Sequence, residues 1–315
     1  MKYDIIGDIH GHADQLRKLF ESLDYKKTDG GFTPPAGRKT IFVGDFIDRG
    51  PQIRESLEIV KAMCDRGVGR AVLGNHEYNA LCYHTQDADR KGEWLRPHTE
   101  KNIMQHRQTM DQFEGRPQEW QSYLNWFMEL PLFLDLGNIR VVHASWFSPA
   151  IAKIRRWTDA GPTRHPHLTP ELLRKSAQRD SEQYNALEAV LKGVEISLPN
   201  GCEIEDKDGH LRGRARIRWW ERAEARRYEE MIFPSVSLDC GDKMIEPENV
   251  TGLLPYSDPV PVFFGHYWRN PKIHRLEVQA GNICCLDYSV ARGGRLVSYR
   301  WEGEKTLCND HLVSV

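Results

Sequence analysis

Short apolar runs alternate with amphipathic stretches along the first quarter of the chain. Apolar residues dominate the runs YDII (3–6), KTIFV (39–43) and RAVLG (70–74), which is typical of strands buried on both faces. Between them, residues 12–23 and 54–67 place large apolar side chains at intervals of three and four, as in a helix with one buried face. This alternation predicts an α/β fold in which helices cover a parallel sheet.

The same kinds of pattern return in the second half of the core. Residues 119–131 (EWQSYLNWFMELP) predict a helix, while 139–146 (IRVVHASW) and 260–268 (VPVFFGHYW) predict buried strands that each lead into a histidine. Residues 282–301 predict a β-hairpin that turns at an Arg-Gly-Gly sequence. The polar stretch from 84 to 118 predicts a loop with a short helix near the surface.

Residues 150–250 differ in character from the rest. Residues 168–193 predict one polar helix with Thr169 as its N-cap, and residues 194–219 alternate like exposed strands. We therefore expect this segment to be an inserted cap that lies on the core and selects the substrate. The resulting division is core, first part, 1–149; mixed α+β cap insertion, 150–250; core, second part, 251–315.

Composition excludes several partners. The 315 residues carry a formal net charge of −2 with a pI of about 6.7, so we expect neither nucleic acid nor a membrane surface as a partner. The N-terminal sequence enters a strand directly, and we expect no secretory signal and a cytoplasmic location. The seven cysteines are odd in number and lack C-x-x-C spacing, which predicts buried free thiols without a disulfide framework.

Polar side chains follow each predicted core strand. GDIHG follows the first strand, GDFIDRG the second and GNHE the third, and two later strands lead into histidines. In α/β sheets, the ligand crevice lies outside the carboxyl ends of the strands. Oxygen and nitrogen donors without a thiolate suit manganese, iron or zinc in a two-metal hydrolytic site. The candidate ligands are Asp8, His10, Asp45, Asn75, His143 and His266.

Each motif alone has an ordinary structural interpretation. GDFIDRG can be a turn with an Asp–Arg surface pair, GNHE can be a helix start capped by Glu77, and His143 can be a satisfied core histidine. Five strand ends that all carry potential ligands are harder to explain by coincidence. The joint pattern therefore favours a metal site over five unrelated turns.

The motifs together resemble those of the calcineurin-like metallophosphoesterase superfamily. The Asp-Arg-Gly ending of the second motif resembles its phosphoprotein-phosphatase (PPP) branch and bacterial relatives, which include serine/threonine phosphatases and diadenosine tetraphosphatases. The resemblance covers residues 1–146 and about 251–300. It implies a four-layer α-β-β-α sandwich, here with the mixed α+β cap inserted.

The resemblance also implies two divalent cations, with manganese favoured over iron or zinc. One ion would be held by Asp8, His10 and Asp45. Asp45 would bridge to the second ion, whose other ligands would be Asn75, His143 and His266. His76 would be the catalytic histidine, oriented by Asp48, and Arg49 would bind phosphate.

These assignments imply a phosphoesterase in which a hydroxide shared by two metals attacks phosphorus in line. The expected substrate is a phosphorylated small molecule or nucleotide, such as a phosphate ester or a dinucleoside polyphosphate. A serine/threonine phosphoprotein phosphatase is the alternative enzyme, and a catalytically silent scaffold is the alternative outside enzymes. A scaffold has no need for a proton donor, so the complete set with His76, Asp48 and Arg49 argues against it.

The cap is unusually basic in one place. Residues 212–227 contain seven arginines and two glutamates. One face of an alternating strand would carry Arg212, Arg214, Arg216 and Arg218. We treat Arg214, Arg216 and Arg218 as candidate substrate-binding residues, although a solvated strand face explains them equally well. Similarly, Trp219 and Trp220 could stack on a base or pack the cap onto the core.

Overall fold

The computed structural model describes residues 1–28, 30–160, 165–205 and 211–315. The helices of these residues are α1 Ala13–Ser22, α2 Ile53–Asp65, α3 Asn75–His84, α4 Glu100–Gln112, α5 Pro117–Glu129, α6 Ser148–Trp157, α7 Pro170–Ser176, α8 Glu182–Lys192 and α9 Tyr228–Met231. The strands up to the cap are β1 Lys2–Ile6, β2 Lys26–Thr28, β3 Gly31–Thr33, β4 Arg38–Phe42, β5 Gly69–Ala71, β6 Phe133–Asp135 and β7 Arg140–Val142. Those that follow are β8 Glu195–Ser197, β9 Ile204–Glu205, β10 Leu211–Arg212, β11 Arg214–Arg216, β12 Val262–Phe264, β13 Ile283–Cys285, β14 Asp287–Tyr288, β15 Arg295–Trp301 and β16 Leu312–Ser314.

Two sheets form the core. The first has the order β14-β15-β1-β4-β5, with β16 also paired to β15, and the second has the order β13-β12-β7-β6. β1, β4 and β5 run parallel to one another, and β12 runs parallel to both β7 and β13. β15 and β6 are antiparallel to their neighbours β1 and β7. The carboxyl ends of neighbouring parallel strands therefore meet at one edge of each sheet.

Alternate side chains of these strands enter two different layers. Ile5 of the first sheet lies in one buried cluster with Phe263 of the second, so this cluster fills the space between the sheets. The next residue, Ile6, lies in a second cluster with Leu57 of α2, and Val142 of β7 joins the same cluster as residues of α8. Each sheet thus packs on the other with one face and on helices with the other. The predicted α/β class and four-layer arrangement are confirmed.

The segment 150–250 packs on this core through aromatic side chains. Trp219 and Trp220 are 3% and 7% exposed, and their rings lie 5.4 and 5.8 Å from that of Phe264 in β12. They therefore hold the cap on the second sheet, and they are too buried to stack on a base. The cap boundaries at 150 and 250 stay a prediction; α6 crosses the first of them.

The polar helix expected over 168–193 is two helices. Thr169 caps α7 as predicted, since its hydroxyl accepts a hydrogen bond from the Leu172 N–H. α7 ends at Ser176, and Ser181 starts α8 with a second cap to the Tyr184 N–H. A serine favours an N-cap over a helix interior, which is why the chain breaks there.

The hairpin expected over 282–301 is also divided. Ile283–Cys285 pairs parallel to β12 in the second sheet, and only Asp287–Tyr288 pairs antiparallel to β15 in the first. Ile283, Cys284 and Cys285 are at most 1% exposed, as expected for a strand covered on both faces. The short helix expected between 84 and 118 is instead the 13-residue helix α4.

The expectation of buried free thiols is wrong for Cys202 and Cys240, which are paired, and for Cys308, which is exposed. Cys202 and Cys240 form a disulfide with their Cα atoms 6.3 Å apart. They are separated by 38 residues, and the folding of the cap brings them together without any spacing that the sequence reveals. Among the described residues, no helix is both long enough and apolar enough to cross a membrane.

Candidate functional site

The strand ends bring the predicted metal ligands together around Asp45. Asp45 Oδ2 lies 3.4 Å from His10 Nε2, and Asp45 Oδ1 lies 3.4 Å from His143 Nε2. The described residues contain two groups whose ligand atoms are close enough to hold an ion: His10, Asp45 and His76; Asp45, His143 and His266. Asp45 belongs to both groups, which is the arrangement that a bridging carboxylate requires.

Backbone carbonyls orient two of the histidines. His10 Nδ1 lies 2.8 Å from the Ile47 carbonyl oxygen, and His143 Nδ1 lies 2.7 Å from that of Val43. A carbonyl only accepts, so Nδ1 carries a proton in both rings, and Nε2 is the nitrogen that could bind a cation beside Asp45. Fixing the ring in this way is common for histidines that bind metals in proteins.

Asp8 and His266 leave polar atoms without a protein partner. Asp8 Oδ2 accepts a hydrogen bond from the His266 N–H at 3.0 Å, and His266 Nδ1 donates to Asn75 Oδ1 at 2.7 Å. Asp8 Oδ1 and His266 Nε2 are buried and have no hydrogen-bond partner among the described residues. Unpaired buried lone pairs are costly, and divalent cations would satisfy them. The residues present therefore fit divalent cations.

The charges around Asp8 support the same conclusion. Burial, and then the nearby Asp287 carboxylate, raise the pKa of Asp8 well above its usual value. Burial also lowers the pKa of His10 and His266 well below the usual value, which keeps both imidazoles neutral. Burial opposes the shift, but the Asp45 carboxylate raises the pKa of His143 to about 10, so without a cation this imidazole balances the buried charge, a task that divalent cations would take over. Sequence reasoning missed Asp287, although it follows the apolar run of β13 just as the other acids follow their strands.

The backbone is strained at the same positions. His10, Asp45, Asp48, Arg49 and His266 all have positive φ, between 44° and 71°. Non-glycine residues rarely adopt this conformation, and such residues cluster at active sites.

The close approach of the Asp8 side chain to the backbone explains why residue 265 is a glycine. A Cβ atom at Gly265 would lie 1.8 Å from Asp8 Oδ1. The residue before His266 therefore has to be glycine if Asp8 is to keep its position.

Glu77 fixes the loop that carries Asp45. Its carboxylate is fully buried and accepts hydrogen bonds from the backbone N–H groups of Asp45 and Phe46 at 2.8 Å, of Gly74 at 3.1 Å and of Ile47 at 3.3 Å. The sequence indicated only its role as a cap of α3, which the bond from Gly74 provides. Beyond this cap, the Glu77 carboxylate connects the GNHE motif to the GDFIDRG motif through its hydrogen bonds to Asp45, Phe46 and Ile47.

His76 lies between a carboxylate and a guanidinium. Its Nδ1 lies 2.5 Å from Asp48 Oδ2, and its Nε2 lies 3.2 Å from Arg49 Nη2. Burial would raise the pKa of Asp48, but hydrogen bonds from His106 and His76 outweigh burial and hold it well below the usual range. Asp48 is therefore an ionised acceptor for the Nδ1 proton of His76, and Nε2 accepts from Arg49.

A cavity of about 990 Å³ opens over these residues. One wall is α4, and basic side chains of the cap and the C-terminal part line another side: Lys192, Arg212, Arg216 and Arg292. Arg214 and Arg218 do not line it. They contact the Glu195 carbonyl oxygen at 3.2 Å and the Glu221 carboxylate at 3.3 Å. Of the three arginines predicted to bind substrate, only Arg216 reaches this cavity.

Comparison with known families agrees with this geometry. The family model for calcineurin-like phosphoesterases matches residues 1–267. The chain belongs to this family. The resemblance inferred from the motifs is thereby confirmed.

Individual relatives match over shorter stretches. The asymmetrical bis(5'-nucleosyl)-tetraphosphatase PrpE of Halalkalibacterium halodurans is 42% identical over 76 residues, which is 24% of this chain and 31% of that protein. The chain thus spans about a third of the length of the curated relatives it matches.

Two solved structures are similar at low identity. A putative diadenosine tetraphosphatase is 17% identical with a TM-score of 0.45, over 100% of this chain and 92% of the other. A serine/threonine phosphatase from Saccharomyces cerevisiae is 13% identical with a TM-score of 0.47, over 100% of this chain and 79% of the other. We draw no functional conclusion from either.

Proposed function

We propose that this chain is a metal-dependent phosphohydrolase that cleaves phosphate ester or anhydride bonds. The observation that carries the proposal is the position of Asp45, which belongs to both groups of potential ligands and lies beside His76. A site with one structural metal would not need a shared carboxylate next to an imidazole and a guanidinium. The family of the chain supports the same class of reaction.

Two divalent ions would share these ligands. Asp8, His10 and Asp45 would hold one, and Asp45, Asn75, His143 and His266 would hold the other. When bound, such cations activate water as Lewis acids and neutralise charge on a phosphate. The mixed oxygen and nitrogen donors favour manganese, with iron or zinc as alternatives.

The remaining side chains of the site have separate tasks. Arg49 can form two parallel hydrogen bonds to phosphate oxygens, a geometry that lysine cannot match. A phosphate would compete with His76 for Arg49, which donates to His76 Nε2 at 3.2 Å. Freed of Arg49, Nε2 can carry a proton and donate it to the leaving oxygen, while Asp48 holds Nδ1.

We propose a nucleotide or dinucleoside polyphosphate as the substrate. The cavity is large, and its lining includes Lys192, Arg212 and Arg216 in addition to Arg49. Several separate cations would bind phosphates other than the one that reacts. The relatives described as tetraphosphatases support this class of substrate. A phosphoprotein is the second candidate and would also have to enter this cavity.

The proposal can be tested on a substrate panel. The protein, loaded with Mn²⁺, Fe²⁺ or Zn²⁺, is given p-nitrophenyl phosphate, diadenosine tetraphosphate and a phosphoserine peptide. We expect hydrolysis of the first two, with the higher kcat/KM for the dinucleotide. Asp45→Asn is the matched control and should abolish every activity above background. No hydrolysis by the metal-loaded protein would contradict the proposal, and a clear preference for the phosphopeptide would favour the second candidate.

A further inference from the structure

The carboxylate that orients His76 is held from its other side as well. Asp48 Oδ2 faces His76, whereas Oδ1 lies 2.8 Å from His106 Nδ1 and accepts from the Thr109 hydroxyl at 2.6 Å. The Asp48 N–H in turn donates to the Thr109 hydroxyl oxygen at 3.0 Å. Both carboxylate oxygens therefore have fixed partners, and the Oδ1 partners come from α4.

His106 is itself held in one orientation. The indole N–H of Trp120, which can only donate, forms a hydrogen bond to His84 Nε2 at 3.1 Å. Burial, and then the neighbouring His106, lower the pKa of His84 to about 4, so at neutral pH its Nε2 is an acceptor. His106 Nε2 lies 3.3 Å from that atom. The His106 ring is therefore held between His84 and Asp48, and its Nδ1–H donates to the ionised Asp48 carboxylate.

The attachment of α4 to the loop after β4 extends beyond His106. Gln112 Oε1 accepts from the Ile53 N–H at 2.6 Å, and its Nε2 donates to the Gly50 carbonyl oxygen at 3.1 Å. His106, Thr109 and Gln112 follow one another at intervals of three, so they share one helical face. This face binds the loop whose residues Asp48 and Arg49 have φ of 65° and 69°.

Two explanations of this arrangement differ in what they predict. If His106 only anchors α4, its loss would reduce stability and leave the reaction untouched in the molecules that remain folded. If His106 instead sets the direction of the Asp48 carboxylate, loss of His106 would let Asp48 Oδ2 move out of line with His76 and would slow the reaction. His106 is 5% exposed and donates directly to the carboxylate, whereas Gln112 already anchors the helix to the backbone.

We propose that His106 is a positioning residue that acts on the reaction through Asp48, by holding the carboxylate in line with His76 Nδ1. This inference rests on the proposed function, because it concerns the proton donor of that reaction. Partners of this kind around metal sites typically contribute about 10–100-fold to activity. His106 also belongs to the lining of the cavity, so an effect through Asp48 has to be distinguished from a direct contact with substrate.

The first test uses two substitutions of the same residue. His106→Ala should lower kcat about 10–100-fold for an alkyl phosphate, whose leaving group needs a proton, and should leave KM and metal content unchanged. His106→Asn can place an amide N–H near the position of Nδ1 and should recover most of the loss. Arg107→Ala on the exposed face of α4 is the control and should behave like the wild type. If the Asn variant is as defective as the Ala variant while both remain folded, the proposal is wrong.

The second test asks whether the effect passes through Asp48. Once Asp48→Asn has removed the carboxylate, adding His106→Ala should cost little further activity, because residues that act as a unit are not additive. Losses that multiply would show that His106 acts by another route and would overturn the proposal.

A third readout does not need activity. In the Zn²⁺-loaded protein, the Nδ1–H proton of His76 should give a low-field ¹H NMR signal that is absent in His76→Ala. His106→Ala should shift or broaden this signal, and His106→Asn should restore it. An unchanged signal in His106→Ala would overturn the positioning role whether or not the protein hydrolyses phosphates. A wild type that shows the signal but no hydrolysis would instead contradict the proposed function alone.

Discussion

The backbone N–H of Asp45 donates to the side chain of Glu77 at 2.8 Å, so one buried carboxylate sets the position of another. Three further N–H groups donate to Glu77, and all four donors come from the two loops that carry ligands. Glu77 thereby joins the loops after β4 and β5, which carry the proposed ligands Asp45 and Asn75.

Glu77→Gln should therefore loosen the site. The amide would turn an N–H group towards backbone N–H donors and leave at least one of them unsatisfied, which should reduce the free energy of unfolding by about 1–3 kcal/mol. Urea unfolding followed by circular dichroism measures this change. Glu114→Gln, at an exposed glutamate, is the matched control and should unfold like the wild type. Equal stability of both variants would show that the four bonds contribute little.

Gly265→Ala should damage metal binding. The added Cβ would lie 1.8 Å from Asp8 Oδ1, so either Asp8 or the His266 loop has to move. We expect the affinity of the site for Mn²⁺ to fall by about 10–100-fold, as measured by calorimetric titration. Gly213→Ala is the control, because nothing lies within 4 Å of its added Cβ. Wild-type affinity in Gly265→Ala would mean that Asp8 is not a ligand.

His76→Ala should keep its metals and lose turnover. If His76 supplies the proton, kcat for an alkyl phosphate should fall by about 10²–10⁴-fold. The loss should be much smaller for p-nitrophenyl phosphate, whose leaving group hardly needs a proton. Equal losses on both substrates, or loss of a bound metal, would show that His76 is instead a ligand or a structural residue.

The basic groups of the cap should affect large substrates only. All four arginines contact groups of the cap, but only Arg212 and Arg216 also line the cavity. The pair Arg212→Gln and Arg216→Gln should raise KM for diadenosine tetraphosphate and leave p-nitrophenyl phosphate hydrolysis nearly unchanged. The double variant of Arg214→Gln and Arg218→Gln loses the same charge as the first double variant. It should change neither the KM for diadenosine tetraphosphate nor the hydrolysis of p-nitrophenyl phosphate. If the second pair raises KM as much as the first, net charge rather than position decides binding.

The site residues that directly follow a strand could be predicted from the sequence. Apolar runs followed by Asp8, Asp45 or Asn75 are visible in the sequence, and parallel pairing brings such strand ends together. Sequence reasoning missed the contacts of α4, because His106 lies 58 residues from Asp48 and its helix has few apolar residues.

The cap was harder to predict for a similar reason. Arg212, Arg214, Arg216 and Arg218 alternate along the chain, but they do not belong to one strand. Arg212 lies in β10, which pairs with β9, and Arg214 and Arg216 lie in β11, which pairs with β8 and ends before Arg218. The disulfide between Cys202 and Cys240 likewise depends on contacts that form only in the folded cap. Alternation within one strand could predict neither feature.

Metal content tests the central claim most directly. Wild-type protein loaded with excess Mn²⁺ and then freed of unbound ions should contain two metal ions per chain by elemental analysis, because Asp45 serves two groups of ligands. Asp45→Asn should lose both ions together, since the bridging carboxylate belongs to each site. One metal ion per fully loaded wild-type chain, or an Asp45→Asn variant that keeps two, would contradict the account.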